Sequence, residues 1–218
     1  MSARNRGKKT NKPLTRVQGT RQANATFRIY AEGEVTEVDY VHALLNHPDI
    51  ANGSAVEIVI EESGATPYTL VQRARDDKKR GIGDIDHFWC VFDVESPPEK
   101  RDKHLSAAID TARANDIGLA VSNPCFELWL ILHFESATAH LTTNEAIRRR
   151  RELDASTGKE VDEDRYMDQL TQAMRRAEKL DSKHKDDDTQ FPENNPSSTM
   201  YKLVHQLMKE ASDSKLSV

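Results

Sequence analysis

Thr26-Phe27-Arg28-Ile29-Tyr30-Ala31-Glu32-Gly33-Glu34-Val35-Thr36-Glu37 is the stretch that decides the fold. It reads as a short apolar strand that runs into acidic residues around a glycine and then into a helix. Sixty-one residues after Glu32 a second apolar run, Phe88-Trp89-Cys90-Val91-Phe92, ends the same way, in Asp93-Val94-Glu95. If both runs are parallel strands of one sheet, their carboxyl ends bring these acids to one edge, where α/β proteins place their sites.

The chain around these two stretches alternates strand and helix. Residues 26–31 form the first strand and 36–46 the first helix, with Val38, Val41, Leu44 and Leu45 at helical spacing. Residues 55–60 form a second strand, and Thr66-Pro67 caps a helix that ends in Lys78-Lys79-Arg80 and stops at Gly81. A third strand covers 87–92, a helix 98–115 and a fourth strand 117–121. This alternation predicts an α/β fold with a mostly parallel four-stranded sheet, flanked by helices.

Ser122-Asn123-Pro124-Cys125-Phe126-Glu127-Leu128-Trp129-Leu130-Ile131-Leu132-His133-Phe134 follows the fourth strand. Asn123 reads as an N-cap with Pro124 at the first helical position, and the helix is apolar nearly all round, so it is expected to be buried. Beyond His140 the character changes to charged helices over 144–153 and 162–180, then a hydrophilic, mobile stretch over 182–193. Asn195-Pro196-Ser197-Ser198 reads as the cap of a last helix carrying Leu203, Val204, Leu207 and Met208. The expected domains are a flexible basic arm over 1–25, an α/β domain over 26–140 and a helical extension over 141–212 packed on it.

Hydrophobic residues make up 37% and charged residues 31%, which fits solvated helices around one moderate core. The net charge of −5 hides an asymmetry. Residues 1–31 hold Arg4, Arg6, Lys8, Lys9, Lys12, Arg16, Arg21 and Arg28 and no acid, so the body behind the arm is strongly acidic. The arm reads either as a solubilising tail or as a contact to phosphate backbones. Cys90 and Cys125 give neither a disulfide framework nor metal-ligand spacing. With no signal peptide and no apolar run of membrane length, the expectation is a cytoplasmic protein with no membrane partner.

A hard divalent cation such as Mg2+ takes oxygen ligands and is commonly held by one or two carboxylates, waters and substrate phosphates. Glu32, Asp93 and Glu95 suit that chemistry. Carboxylates about 4 Å apart at an effective dielectric near 20 repel by about 4 kcal/mol per pair. Such a cluster persists when a cation neutralises it or one acid keeps its proton. Strand ends also carry solvated acids of no consequence, so the convergence itself is the point to check. No Gly-x-x-x-x-Gly-Lys and no Gly-x-Gly-x-x-Gly occurs, which argues against a P-loop nucleotidase and a dinucleotide enzyme.

The combination resembles a known family. Glu-Gly after one strand and an acidic pair after another form the pattern of TOPRIM domains of topoisomerases, primases and OLD-type nucleases. Within that group the chain is similar to RloB-like proteins found near bacterial restriction and phage-defence genes. The resemblance rests on Glu32 to Glu37, Phe92 to Glu95, Ser122 to Phe134 and Asn195 to Ser197, the third being the most specific.

The resemblance implies a metal-dependent phosphodiesterase with Mg2+, or Mn2+ in its place. Glu32 would handle a proton or join the metal shell, Asp93 and Glu95 would hold metal, and Glu127 would act beside them. Glu95 departs from the family group's usual aspartate. Glu34, Asn123 and His133 would support the site, His133 reading otherwise as a core residue and Glu37 as a complement to the helix dipole. Arg16, Arg21, Arg28, Lys78, Lys79 and Arg80 are candidate contacts to nucleic acid. RNA, tRNA among it, is the implied substrate, with a regulatory partner or homo-oligomer controlling the activity. A DNA endonuclease of the OLD type and a non-catalytic adaptor that binds nucleic acid stay open.

Overall fold

The computed structural model describes residues 25–33, 35–51, 53–60 and 65–216. Four parallel strands form the centre: β1 (Ala25–Ala31), β2 (Ser54–Ile60), β3 (His87–Asp93) and β4 (Gly118–Asn123). Their order is β2-β1-β3-β4, so the two strands that end in acids are neighbours, with Ala31 opposite Val91. This arrangement is consistent with a TOPRIM-like fold.

The sheet has five strands rather than four. Ser197–Ser198 forms β5, antiparallel to β4, with Ser122 opposite Ser198 and Asn123 opposite Ser197. This overturns two expectations about caps. Of the residues read as opening the last helix, Ser197 and Ser198 instead extend the sheet, and the helix starts at Met200. Asn195 uses its side-chain amide like a backbone unit, accepting from the Leu141 N–H at 3.0 Å and donating to the Leu141 carbonyl at 2.8 Å. Asn123 likewise belongs to β4. It donates through Nδ2 to the Pro192 carbonyl at 2.9 Å, and Cys125 holds the N-cap position of the helix after it.

Alternation of side chains along the strands divides the core into two layers. Phe27, Ile29, Val91 and Ala120 face one layer, and Tyr30, Cys90, Phe92 and Val121 face the other. The first layer is covered by α1 (Thr36–Asn46), the second by α2 (Pro67–Arg80) and α3 (Leu105–Ala114). Thr66 caps α2 in a reciprocal pair with Thr69, and Gly81 ends it at φ 63°, a left-handed conformation that glycine adopts without a steric penalty. The helix expected over 98–115 begins only at Leu105. Asp102 accepts from the backbone N–H groups of His104 and Tyr68 and competes there with helix formation.

The first layer also takes in α4 (Phe126–Phe134), α6 (Glu163–Met167), α7 (Leu170–Asp186) and α8 (Met200–Leu216), while α5 (Thr143–Asp154) packs on α4. Tyr166, Leu170, Met174, Leu203 and Leu207 share one buried cluster with Phe27, Tyr40 and Trp129. The helices after His140 and the sheet are thus halves of a single core. The helix expected over 162–180 is two helices, and its second part runs on to Asp186, into the segment expected to be mobile. Arg176 of α7 donates to the Leu132 and His133 carbonyls at 2.6 and 2.7 Å, covering the negative end of α4. Among the described residues no helix is long and apolar enough to cross a membrane.

Candidate active site

Pairing of β1 with β3 sets Glu32 directly against Asp93. Glu32 follows β1, its backbone N–H bonds the Val91 carbonyl at 3.1 Å, and its Oε2 accepts from the Asp93 N–H at 3.3 Å. Burial raises the Glu32 carboxyl to about 7, with repulsion from Glu37 and Glu95 adding to it and the Asp93 bond opposing it. Asp93 ends β3. Its Oδ1 is sealed from solvent and has no hydrogen-bond partner. Burial, then the charges of Glu37, Glu127, Glu32 and Glu95, push its carboxyl well above the usual range.

Two helices aim their N-termini at the same edge. Glu37 is the second residue of α1 and Glu127 the second of α4. Glu37 is buried, and its carboxyl is raised by that burial and by Glu127. Its carboxylate lies over Gly33, so a Cβ at that position would collide with it. The two positive helix ends partly offset the charge of the acids. Cys125 adds an uncharged wall: its thiol is buried and pushed up by burial, Asp93 and Glu127.

Glu95 stands at φ 69°, in the left-handed region that non-glycine residues rarely occupy. Three bonds hold the turn there. Val94 donates to the Ser122 carbonyl at 2.9 Å, Glu95 to the Pro124 carbonyl at 2.8 Å, and the Glu95 carboxylate accepts from the Thr143 hydroxyl at 2.7 Å.

The remaining candidates lie apart from this edge or are engaged elsewhere. His133 is fully buried against Tyr40, Trp129 and Tyr166. A carbonyl can only accept, so Nδ1–H donates to the Trp129 carbonyl at 2.9 Å, and Nε2 accepts from the Tyr40 hydroxyl at 2.9 Å. Burial lowers its imidazole to about 3, and it is a neutral core residue. Asn123 ties β4 to the Pro192 and Asn194 segment. Arg28 is spent on the sheet, 2.9 Å from Glu57 and 3.8 Å from Asp77.

Lys78, Lys79 and Arg80 end α2, which runs against the strands and so places them at the far edge of the sheet from the acids. There Lys78 donates to the Asp116 carbonyl at 2.6 Å. Glu34, Arg16 and Arg21 lie outside the described residues. Glu37 and Thr143 are the contributors that reading the sequence undervalued or missed. The spacing of Glu37 and Glu127 at matching helix positions was the available signal for the first.

Among the described residues no group of three or more His, Cys, Asp and Glu side chains is placed to hold a metal ion. The donor set nevertheless fits a hard divalent cation, which needs only one or two carboxylates beside waters. All the donors are oxygens, they repel one another, and Asp93 carries an oxygen with no partner. A cavity of about 380 Å3 lined by Ile131, Leu141 and Arg149 among others lies at the opposite end of α4 and contains none of these acids.

Fold and edge together define an α/β protein with a mostly parallel sheet and a carboxylate cluster where its two central strands end. The chain belongs to the RloB-like protein family, whose model matches residues 27–207. No curated protein and no solved structure matches it.

Proposed function

We propose that the protein is a divalent-metal-dependent phosphodiesterase that cleaves nucleic acid. The observation that carries this reading is the meeting of Glu32 and Asp93, with Glu37, Glu95 and Glu127 around them, in a partly buried setting that leaves Asp93 Oδ1 without a partner. Asp93 and Glu95 would hold Mg2+ or Mn2+, with Glu32 and Glu127 beside them. When bound, the metal supplies charge against a phosphodiester and makes an attacking water more acidic. Glu32, near 7, is poised to accept a proton from that water or return one to the leaving oxygen at neutral pH.

RNA is the proposed substrate and tRNA the first to test, on the strength of the resemblance to defence-associated proteins; OLD-like DNA cleavage is the alternative within the same chemistry. A regulatory partner or self-association in the cytoplasm would restrain the activity. The acidic body repels a polyanion, so the cation and the basic residues before β1 supply attraction, and binding weakens steeply with salt. That no three potential ligands among the described residues are placed to hold a metal favours one reading of another class, an adaptor that binds nucleic acid and catalyses nothing.

Labelled tRNA and plasmid DNA incubated with the purified protein in Mg2+, Mn2+ or EDTA separate these readings. Cleavage is expected only with metal and is expected to fall at least about 100-fold in Glu32→Gln and in Asp93→Asn. Cleavage that persists in both variants, or in EDTA, removes the metal-nuclease reading. Growth arrest on expression, relieved by Asp93→Asn, extends the test to conditions where an activator is present.

A further inference from the structure

The Glu95 turn meets the N-terminus of α5 through a reciprocal set of bonds. Thr143 Oγ1 donates to Glu95 Oε2 at 2.7 Å, and Thr143 Oγ1 in turn accepts from the Ser96 N–H at 3.1 Å. The Thr143 N–H donates to the Ser96 carbonyl at 3.2 Å. On its other side the Thr143 carbonyl lies 3.9 Å from the Cys125 thiol, at the base of α4. Thr142 and Glu145 cap α5 reciprocally, so the helix end that presents Thr143 is itself fixed.

Thr143 and Ser96 are buried and Glu95 half-buried, so these bonds are made largely away from water, where they are strongest. A hydroxyl that donates to a carboxylate makes a charge-assisted bond. With its single proton directed at Oε2, it fixes the rotamer of a long, flexible acid and leaves Oε1 for another partner. The arrangement also explains how a glutamate is held in a left-handed turn, which a non-glycine residue keeps only where its surroundings determine it.

We infer that Thr143, on the first turn of α5, is a positioning residue of the acidic edge: it orients the Glu95 carboxylate for a divalent cation, so the helices after His140 complete the site and do not merely pack on it. The inference rests on the proposed metal chemistry. It concerns Glu95, two residues past the end of β3, whose longer arm needs such a hold. An aspartate at that position would reach less far and have less freedom to lose.

Mn2+ binding by titration calorimetry, read beside the metal-free melting temperature, tests it. Wild type and Thr143→Ser are expected to bind alike, and Thr143→Val, which melts lower because the buried Ser96 N–H loses its acceptor but is measured well below its own transition, about 10-fold more weakly. In a Glu95→Gln background the Thr143→Val change is expected to have no further effect. Should Thr143→Val unfold early, Thr143→Ala is read in the same way. Binding by Thr143→Val equal to wild type, or an equal loss in the Glu95→Gln background, overturns the positioning role alone. Failure of wild type to bind Mn2+ overturns both this role and the metal chemistry beneath it.

Discussion

Two groups of buried acid in this protein meet opposite fates. Asp154, at the end of α5, has a side chain only 4% exposed, and burial alone would raise its carboxyl. Hydrogen bonds from Tyr166 and Ser156 and the charge of Arg150 instead hold it below the usual range. Arg150 lies 2.6 Å from it, and donates to the Gly158 and Glu160 carbonyls at 2.8 and 2.6 Å. At the edge formed by Glu32, Glu37 and Asp93 the Asp93 N–H bond to Glu32 and, at Glu37, a backbone bond and the charge of Lys159 do not outweigh burial and mutual repulsion, and all three carboxyls rise. The first group fastens the loop between α5 and α6. The second keeps its mutual repulsion, and perturbed carboxyls gathered at one sheet edge mark a candidate functional site.

The contrast breaks most visibly in stability. Arg150→Met leaves Asp154 buried without its counter-charge and is expected to destabilise the fold by about 3–5 kcal/mol. Asp93→Asn is expected to leave the metal-free protein as stable as wild type or more so, since it removes a repelled charge. Urea unfolding of both variants in EDTA checks the pair, and a severe loss in Asp93→Asn would mean that the carboxylate has a structural partner.

A dependence on pH follows from the direction of the shifts. Glu32 binds its proton more tightly in the folded protein, at about 7, than in the unfolded chain, near 4.5. The folded state therefore carries the excess proton between these values, and metal-free stability falls as pH rises from 4.5 to 7, by up to about 3 kcal/mol from this group. Glu32→Gln is expected to flatten that slope in denaturation curves recorded from pH 4.5 to 8. Asp154 contributes with the opposite sign: stability present above its unfolded value is lost as pH falls through its lowered one.

The smallest effects are expected at the basic residues. Deleting residues 2–24 removes seven bases and should lower nucleic-acid affinity and the salt dependence of binding together. Lys78→Ala with Lys79→Ala, at the far edge of the sheet, should change affinity by less than roughly twofold. Filter binding at several salt concentrations distinguishes the two, and an equal loss from both would extend the binding surface around the sheet.

The central sheet was legible because strands such as Phe27 to Ala31 and Phe88 to Phe92 are apolar runs bounded by polar residues, and because both end in acids. β5 was not, since two serines carry no hydrophobic period and their pairing with Ser122 and Asn123 spans more than seventy residues. Glu32, Asp93 and Glu127 could be placed at one edge from strand and helix order alone. Glu37 could not be weighed, because an acid in a first helical turn is explained equally well by the helix dipole. Thr143 was out of reach: its bond to Glu95 exists only once α5 has packed against α4, a tertiary contact with no local pattern.

Diffraction from crystals soaked in Mn2+, with anomalous data collected near the manganese edge, addresses the central claim most directly. A peak is expected at roughly 2.0–2.3 Å from a carboxylate oxygen of Asp93, with Glu32 or Glu95 in the same shell. Full occupancy of Mn2+ at other surface acids, with none beside Asp93, would contradict it.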